Sequence, residues 1–328
     1  MFRWGILGLG RIANKFAFEL NQTKLGKVAA VGSRDLEKAR EFANLFGGES
    51  YGSYTEFIER AQVDAVYIAV PHHLHFELTQ QCLLKGIPVL CEKPFTINKK
   101  QLESLVQIAK TKQVFLMEAM WTRFMPHILW IKEQIDAGKL GTLLHLKAEF
   151  SFQGKARGIQ EGVSRLIDNS LGGGALLDIG IYPVFLSQLL FGKPTNIAAS
   201  AQIVNHIDEV CMMQFSYSNG STANLESSIL WEADGQAVIY GQNATINIPR
   251  KWHESNELVV TYADKSHDYK KWDYPSRGFY YEMKEVQDAV QSGKKESQLM
   301  PLQFSLDMMD TLDKIRSIIG LQYPADKE

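Results

Sequence analysis

A glycine-rich turn between an apolar run and an amphipathic stretch constrains the fold of this chain more than any other feature. The run Phe2–Gly8 is almost entirely apolar, as is typical of a strand that is buried on both faces. Arg11–Gln22 has the apolar spacing of an amphipathic helix. Between them, Gly8, Gly10 and Ala13 form the pattern G-x-G-x-x-A. A strand, a tight glycine turn and a helix in this order predict the first unit of a doubly wound parallel sheet.

The same alternation of strands and helices continues to residue 118. It predicts right-handed crossovers, with helices on both faces of the sheet. We therefore predict an α/β fold whose N-terminal Rossmann domain covers residues 1–118. Further strands are expected at Lys27–Gly32, Ala65–Val70, Pro88–Glu92 and Val114–Met117, and further helices at Leu36–Phe46, Phe76–Leu84 and Lys99–Thr111.

After residue 118 the pattern becomes typical of antiparallel strands. In the segment 144–152, apolar and polar side chains alternate with a period of two, which indicates a strand with one polar face. We predict that residues 119–328 form an α+β domain with a largely antiparallel open sheet. Further strands are expected at Val210–Tyr217, Ser221–Trp231, Gln236–Tyr240, Ala244–Ile248 and Leu258–Ala263, and helices at Pro126–Ala137, Gly174–Phe191, Phe279–Gln291 and within Leu302–Ile319.

The composition is that of an ordinary globular protein. Of the 328 residues, 45% are hydrophobic and 22% are charged, which argues against a disordered chain or a coiled coil. The net charge of −2 provides no strong field for nucleic acid or an anionic membrane, so we expect neither as a partner. The three cysteines are far apart and form no CxxC pair. We therefore expect reduced thiols and a cytoplasmic protein.

Two local features resemble special sites but are interpreted as ordinary ones. The apolar stretch Gly172–Gly192 is nearly long enough to cross a bilayer, but it contains Asp178, so we predict a buried helix. His72, His73 and His75 have no carboxylate or thiolate at ligand spacing, so we expect no metal site.

The glycine turn is predicted to bind the pyrophosphate of a dinucleotide. The first glycine permits the tight turn, the second lets the backbone approach the phosphates, and the helix N-terminus presents free N–H groups. A glycine-rich turn without a ligand is the alternative. The predicted contacts come from Gly8, Leu9, Gly10, Arg11 and Ile12.

The turn after the second strand predicts which nucleotide is preferred. An acidic residue at this point binds the ribose 2′-hydroxyl of NAD, but here Ser33 and Arg34 stand in its place. The Arg34 guanidinium suits a 2′-phosphate, and Lys38 lies one helical turn further along. NADP is therefore favoured over NAD. In the competing interpretation, Asp35 binds the ribose and Arg34 only stacks on the adenine.

A lysine follows another predicted strand at the edge where doubly wound sheets bind ligands. Lys93 stands between Glu92 and Pro94, and the preceding predicted strand ends in the run Ala69–His75. Pro94 has no N–H group and restricts the backbone of Lys93. We therefore expect Lys93 to point toward the cofactor edge of the sheet.

Taken in order, these motifs resemble the Gfo/Idh/MocA family of nicotinamide-dependent oxidoreductases over essentially the whole chain. The matching pieces are the G-x-G-x-x-A turn, A-V-P-x-x-x-H ending at His75, E-K-P at 92–94 and G-G-G-A-L-L-D-I-G-I-Y at 172–182. The segments 118–124 and 178–182 most resemble the branch of the dimeric dihydrodiol dehydrogenases and the NADP-dependent D-xylose dehydrogenases.

The resemblance carries expectations about partners and contacts. It implies a C-terminal domain for substrate binding and dimerisation, and hence a homodimer or higher homo-oligomer. For Arg123, a contact with the cofactor and a surface salt bridge are both open. The resemblance places His75 beside the nicotinamide, and the further cofactor contacts that it implies are Val70, Pro71, His72, Glu92, Lys93 and Arg123.

Three residues are predicted to carry the chemistry. Hydride transfer at a carbinol carbon requires a group that exchanges the hydroxyl proton, and we assign this role to Tyr182, which stands where many family members have histidine. Lys93 is expected to polarise the substrate oxygen and to lower the pKa of the tyrosine. Asp178, four residues before Tyr182, is expected to orient the substrate or Lys93. The alternatives are a capping carboxylate at Asp178 and a core aromatic at Tyr182.

The sequence thus predicts an NADP(H)-dependent oxidoreductase that acts on a small molecule: a sugar, a trans-dihydrodiol or a small carbonyl compound. Two other functions stay open on the same fold. One is a nonenzymatic NADP-binding sensor, which needs neither Lys93 nor Tyr182. The other is a redox-assisted glycosidase with tightly bound NAD.

Overall fold

The computed structural model describes residues 1–154, 158, 164–276 and 278–327. The chain forms two compact units. The first unit comprises Met1–Phe124 and Tyr274–Leu306, and the second comprises Met125–Asp273 and Asp307–Glu328. The units differ from the continuous domains expected at 1–118 and 119–328, because a late segment of the chain belongs to the first unit.

The first unit contains a six-stranded parallel sheet with the order β3-β2-β1-β4-β5-β6. Four of its strands, β1 and β4–β6, are buried almost throughout, which explains their nearly continuous apolar sequence. The strands are β1 (Arg3–Leu7), β2 (Lys27–Gly32), β3 (Glu49–Tyr51), β4 (Ala65–Ile68), β5 (Val89–Glu92) and β6 (Leu116–Ala119).

Helices surround this sheet, and aromatic side chains fill the space between them. Phe16 lies on the Tyr67 ring at a centroid distance of 3.9 Å, and the edges of Trp4 and Phe279 meet Phe16. The helices are α1 (Arg11–Thr23), α2 (Leu36–Phe46), α3 (Tyr54–Arg60), α4 (His75–Leu84), α5 (Lys99–Lys112) and, from the late segment, α8 (Phe279–Gln291).

The second unit contains an eight-stranded sheet with the order β14-β13-β12-β11-β7-β10-β9-β8. Its neighbouring strands are antiparallel, except that β10 pairs parallel with β7. The strands are β7 (Leu143–Ser151), β8 (Asn196–Val204), β9 (Ile207–Ser216), β10 (Thr222–Ser228), β11 (Ala237–Gly241), β12 (Ala244–Ile248), β13 (Glu257–Tyr262) and β14 (His267–Lys271). The predicted α/β fold, with a parallel sheet followed by a largely antiparallel open sheet, is confirmed.

The helices of the second unit include α6 (Pro126–Asp136) and α7 (Ile181–Phe191), and the boundary between the units falls within α9 (Leu302–Ile319). A π-helical turn, Leu176–Gly180, leads directly into α7. Among the described residues, the segment Asn169–Phe191 is long and apolar enough to cross a membrane, but 78% of its most apolar window is buried in the protein. Core helices show the same combination, so this is weak evidence for a membrane span.

Candidate active site

The glycine turn after β1 has the geometry that a dinucleotide requires. Gly8 has a φ of +87°, and an added Cβ would lie 2.7 Å from the backbone of Ala69 and Val70. Gly10 is the N-cap of α1, and a Cβ there would meet no described atom within 4 Å. No side-chain cap and no acidic residue occupy the first turn of α1 in the described structure. The free N–H groups of this turn therefore suit a diphosphate.

The turn after β2 separates the roles of its polar residues. Asp35 caps α2, because one carboxylate oxygen accepts the N–H groups of Glu37 and Lys38 at 3.0 and 3.2 Å. Arg34 and Lys38 are exposed, and Ser33 is buried. Burial raises the pKa of Tyr54, and the charge of Arg34 and a hydrogen bond with it partly offset that rise.

A histidine joins the two loops that follow β4 and β5. His75 is fully buried, with Nδ1 2.8 Å from the Pro94 carbonyl oxygen and Nε2 3.0 Å from that of Val70. Carbonyl oxygens only accept, so the ring satisfies both when it is doubly protonated. The Pro71 carbonyl oxygen accepts the N–H of Leu74 at 2.9 Å, and the His72 ring is 5.6 Å from that of His75. His75 is thus an internal link between the two loops, and the position beside the nicotinamide that the resemblance implies for it stays a prediction.

Lys93 extends from the loop that begins at the end of β5. Its neighbour Glu92 points into the unit, where Oε1 accepts the hydroxyl hydrogen of Tyr67 and Oε2 accepts the N–H of Lys93 at 3.2 Å. Lys93 is half-buried and is followed by a cis peptide bond to Pro94. Glu92 therefore anchors the loop to the interior of the unit, and the cofactor contact that the resemblance implies for it stays a prediction.

Arg123 is also an internal residue of the first unit. Only 8% of its surface is exposed, and its Nε donates to the Leu299 carbonyl oxygen at 2.8 Å. Leu299 belongs to the late segment of the chain, so this contact holds that segment to the 3₁₀ turn Trp121–Phe124. Because Arg123 is buried, it does not form a surface salt bridge. The other expectation, a contact with the cofactor, stays a prediction.

The other two predicted catalytic residues lie in the second unit, on the helical segment that includes α7. Asp178, in the π-helical turn, forms an ion pair with Arg165 at 3.0 Å. Tyr182 is buried, and the rings of Phe150 and His253 lie 5.2 and 5.3 Å from its ring. The Phe150 and His253 rings stack on each other at 4.2 Å. Tyr182 thus belongs to an aromatic cluster in which its phenol lies beside the imidazole of His253.

A buried carboxyl group fixes the start of this helical segment. Asp208, on β9, accepts the N–H of Leu176 at 2.6 Å. A Cβ on Gly174, which has a φ of +119°, would collide with Oδ1 of the same carboxyl group. Tyr323 donates to the Gly173 carbonyl oxygen at 2.6 Å. The glycines of this loop are therefore required by the close approach of Asp208 and by the unusual backbone.

Burial raises the pKa of Asp208 to about 7, which makes stability depend on pH. The folded state favours the protonated carboxyl, so the stabilisation is complete below the ordinary value of 3.8 and is lost as pH rises through 7. Between pH 5 and pH 8, Asp208 should lower the free energy of unfolding of the wild type by about 2–3 kcal/mol. Asp208→Asn should lack this decrease. The nearby titratable groups, Tyr323 and Cys211, ionise well above this range.

Denaturant unfolding of the wild type and of Asp208→Asn at pH 5, 6, 7 and 8 measures this difference. Asp136→Asn, which changes an exposed aspartate in the same unit, is the control and should keep the wild-type slope. If the free energies of unfolding of the wild type and Asp208→Asn changed in parallel with pH, Asp208 would be ionised throughout this range.

No group of three or more histidine, cysteine, aspartate or glutamate side chains is placed to hold a metal ion within the described ranges. The three cysteines are buried thiols.

Comparison with known proteins identifies the family. Residues 2–120 match the model of the Gfo/Idh/MocA oxidoreductase family with an NAD-binding Rossmann fold, and residues 128–247 match the model of its C-terminal domain. The trans-1,2-dihydrobenzene-1,2-diol dehydrogenase of Mus musculus is 33% identical over 336 residues, which cover 99% of both chains. The chain belongs to the Gfo/Idh/MocA family. The Homo sapiens enzyme of the same name is 32% identical over 341 residues, again covering 99% of both chains.

Solved structures of two other oxidoreductases share the fold. A 3-ketoreductase from Actinomadura kijaniata, solved with NADP and TDP-benzene, has a TM-score of 0.86 at 24% identity and covers 97% of this chain and 98% of its own. An aldose-aldose oxidoreductase from Caulobacter crescentus, solved with glycerol, has a TM-score of 0.86 at 21% identity, with 97% of each chain covered. Family membership makes this protein an NAD(P)-binding oxidoreductase; its substrate is a separate question.

Four polar residues of this Gfo/Idh/MocA protein were not predicted from the sequence. Each is far along the chain from the group that it contacts, so no local pattern marks it. One of them, Tyr54, has a signal in the sequence. Asp35 is a typical helix-capping residue and caps α2, so a different side chain was to be expected beside Arg34. The four are Tyr54, Glu118, Arg165 and Asp208.

Proposed function

We propose that this protein is an NADP(H)-dependent oxidoreductase that transfers hydride between the nicotinamide and a carbinol or carbonyl carbon of a sugar, a trans-dihydrodiol or a small carbonyl compound. The observation that carries the proposal is the position of Lys93. It emerges at the carboxyl end of β5 in a nucleotide-binding sheet, on a loop held by Glu92 and His75. A lysine so anchored is suited to polarise an oxygen atom.

The chain's own residues have separate roles in this proposal. Bound nicotinamide supplies or accepts the hydride. Lys93 provides the positive charge for the substrate oxygen, and Tyr182 exchanges the hydroxyl proton. Asp178 orients the substrate, and Arg165 fixes the Asp178 carboxylate at 3.0 Å. The aromatic neighbours Phe150 and His253 hold the Tyr182 ring in place.

A substrate screen tests the proposed function. Sugars, polyols and trans-dihydrodiols are offered with NADP⁺ or NAD⁺, ketoses and small diketones with NADPH or NADH, and the nicotinamide absorbance is followed. We expect turnover on at least one of these classes, faster with the phosphorylated nucleotide. Tight NADPH binding without turnover on any of them would favour the sensor. Release of sugar from glycosides with no net change in absorbance would favour the glycosidase.

Nucleotide preference depends on Arg34 in this proposal. One Asp35 oxygen is engaged in capping α2, and Arg34 and Lys38 are the exposed cations at this turn. Arg34→Ala removes a charge-assisted contact, so we expect NADPH affinity to fall by roughly 10- to 150-fold, from a loss of about 1.5–3 kcal/mol. NADH affinity should change little.

Fluorescence titration of both nucleotides measures this change. The control is Arg40→Ala, which removes an exposed arginine of α2 that pairs with Glu37. Equal affinity of the wild type for NADPH and NADH would instead assign the ribose to Asp35.

A further inference from the structure

A buried carboxyl group lies beside the loop that carries Lys93. Glu118, near the end of β6, is only 1% exposed. Its Oε1 accepts the N–H of Phe95 at 3.2 Å, and its Oε2 accepts the hydroxyl hydrogen of Ser305 at 2.7 Å. Ser305, near the start of α9, is equally buried. Glu118 thus connects the late segment of the chain to the backbone two residues after Lys93.

The loop is held from two sides by buried side chains. His75 contacts the carbonyl oxygen of Pro94, and Glu118 contacts the N–H of the next residue, Phe95. These are the two polar groups of a single peptide unit. Since a peptide unit is planar and rigid, fixing both groups fixes its orientation. The position of Lys93, on the other side of Pro94, follows from that orientation.

The protonation state of Glu118 changes the strength of its contact. An ionised carboxylate accepts both neighbouring hydrogens as charge-assisted bonds, which are about twice as strong as neutral ones. A carboxyl that is protonated on Oε2 donates to the Ser305 oxygen, while Oε1 still accepts the Phe95 N–H, but both bonds are then between neutral groups. Protonation therefore weakens the contact that holds the loop.

Burial of Glu118 places this change near neutrality. Burial raises the pKa of Glu118 to about 7. The hydrogen bonds from Ser305 and Phe95 and the charge of Lys93 favour the ionised form, whereas the charge of Glu92 opposes it. Cys91, on β5, also senses the Glu118 charge, but its own pKa is well above the neutral range.

We propose that Glu118 is a positioning residue for Lys93: its ionised carboxylate fixes the peptide unit after Pro94 and, through that unit, the loop from which the Lys93 ammonium extends. This inference rests on the proposed function for its effect on turnover. Its effect on Lys93 itself does not depend on a substrate, so the two are tested separately.

Glu118→Gln is the decisive variant. The amide keeps an oxygen for the Phe95 N–H and an NH₂ group for the Ser305 oxygen, so shape and hydrogen bonds are retained while the charge is lost. We expect kcat at pH 8 to fall roughly five- to tenfold, as for the loss of one charge-assisted bond, with NADPH affinity unchanged. The wild-type rise in kcat between pH 6 and pH 8 should be absent. Glu133→Gln, an exposed glutamate of α6, is the control and should keep the wild-type profile.

Labelling of Lys93 tests the coupling without a substrate. Reductive methylation at pH 7.5, quantified by mass spectrometry of the Lys93 peptide, should be severalfold faster in Glu118→Gln, because a neutral amide holds the Phe95 N–H less strongly than a carboxylate does and the loop that carries Lys93 becomes more accessible. Lys85 provides the internal reference. If the wild type turned over no compound in the screen, the proposed function would fail and the labelling rates would still decide this inference. Unchanged labelling in Glu118→Gln overturns it, as does a lower melting temperature with the wild-type pH profile retained.

Discussion

Lys93→Met is expected to lower turnover by roughly 10²–10³-fold on any substrate that the wild type uses, because removing a preorganised charge from a developing oxyanion typically costs this much. Methionine keeps most of the side-chain length and apolar volume, so the loop between β5 and α5 should stay folded. The pyrophosphate turn at Gly8 and Gly10 is unchanged, so NADPH should bind with near-normal affinity. Steady-state kinetics and nucleotide titration measure the two effects independently.

Lys85→Met is the matched control for this prediction. Lys85 is an exposed residue just after α4 that pairs with Glu59, so its replacement should leave turnover unchanged. Near-normal turnover in Lys93→Met would show that Lys93 is structural, and the roles proposed for the remaining residues would need revision.

Tyr182→Phe is expected to lower turnover by roughly 10²–10⁴-fold, as is typical when a positioned acid–base group is lost. The ring and its contacts with Phe150 and His253 are retained, so the melting temperature should stay close to that of the wild type. Tyr269→Phe, which changes an exposed tyrosine of β14, is the control and should be fully active.

Tyr182→His separates this role from that of a core aromatic. An imidazole titrates near neutrality, so some activity should return relative to Tyr182→Phe, with a pH profile displaced to lower pH. A core aromatic would behave in the opposite order: the phenylalanine variant would be active, and the histidine variant would be unstable, because it buries a polar ring. Turnover and thermal melting of both variants, measured in parallel, distinguish the two roles.

The sequence predicted those elements whose length and periodicity are sufficient to mark them. Leu36–Phe46, Ala244–Ile248 and Phe279–Gln291 have the predicted bounds. The elements that escaped have physical reasons. β8, Asn196–Val204, is a nine-residue edge strand in which no residue is buried, so it has no apolar face to mark it. β3 has three residues and α3 seven, which is too short for a period to be visible. β14 is a polar edge strand, H-D-Y-K-K, whose charges protect a sheet edge rather than fill a core.

The candidate site was predictable where it depends on strand ends and not where it depends on distant contacts. Parallel strands bring their carboxyl ends to one edge, so the residues after β1, β2, β4 and β5 could be grouped from their order alone. The partners of Glu118 and Asp178 could not: Ser305 is 187 positions from Glu118. His75 was assigned to the correct loop, but its burial between two carbonyl groups is a property of the packed structure.

The placement of Tyr274–Leu306 in the first unit has a consequence for how this protein is made. A nascent chain that has reached residue 273 contains every strand of the six-stranded sheet, but it lacks Phe279, which packs on Phe16, and Ser305, which binds Glu118. Until those residues emerge from the ribosome, the aromatic face of α1 and a buried carboxyl group stay uncovered. The nucleotide-binding unit therefore completes its folding only after the eight-stranded sheet has been synthesised, although it begins first.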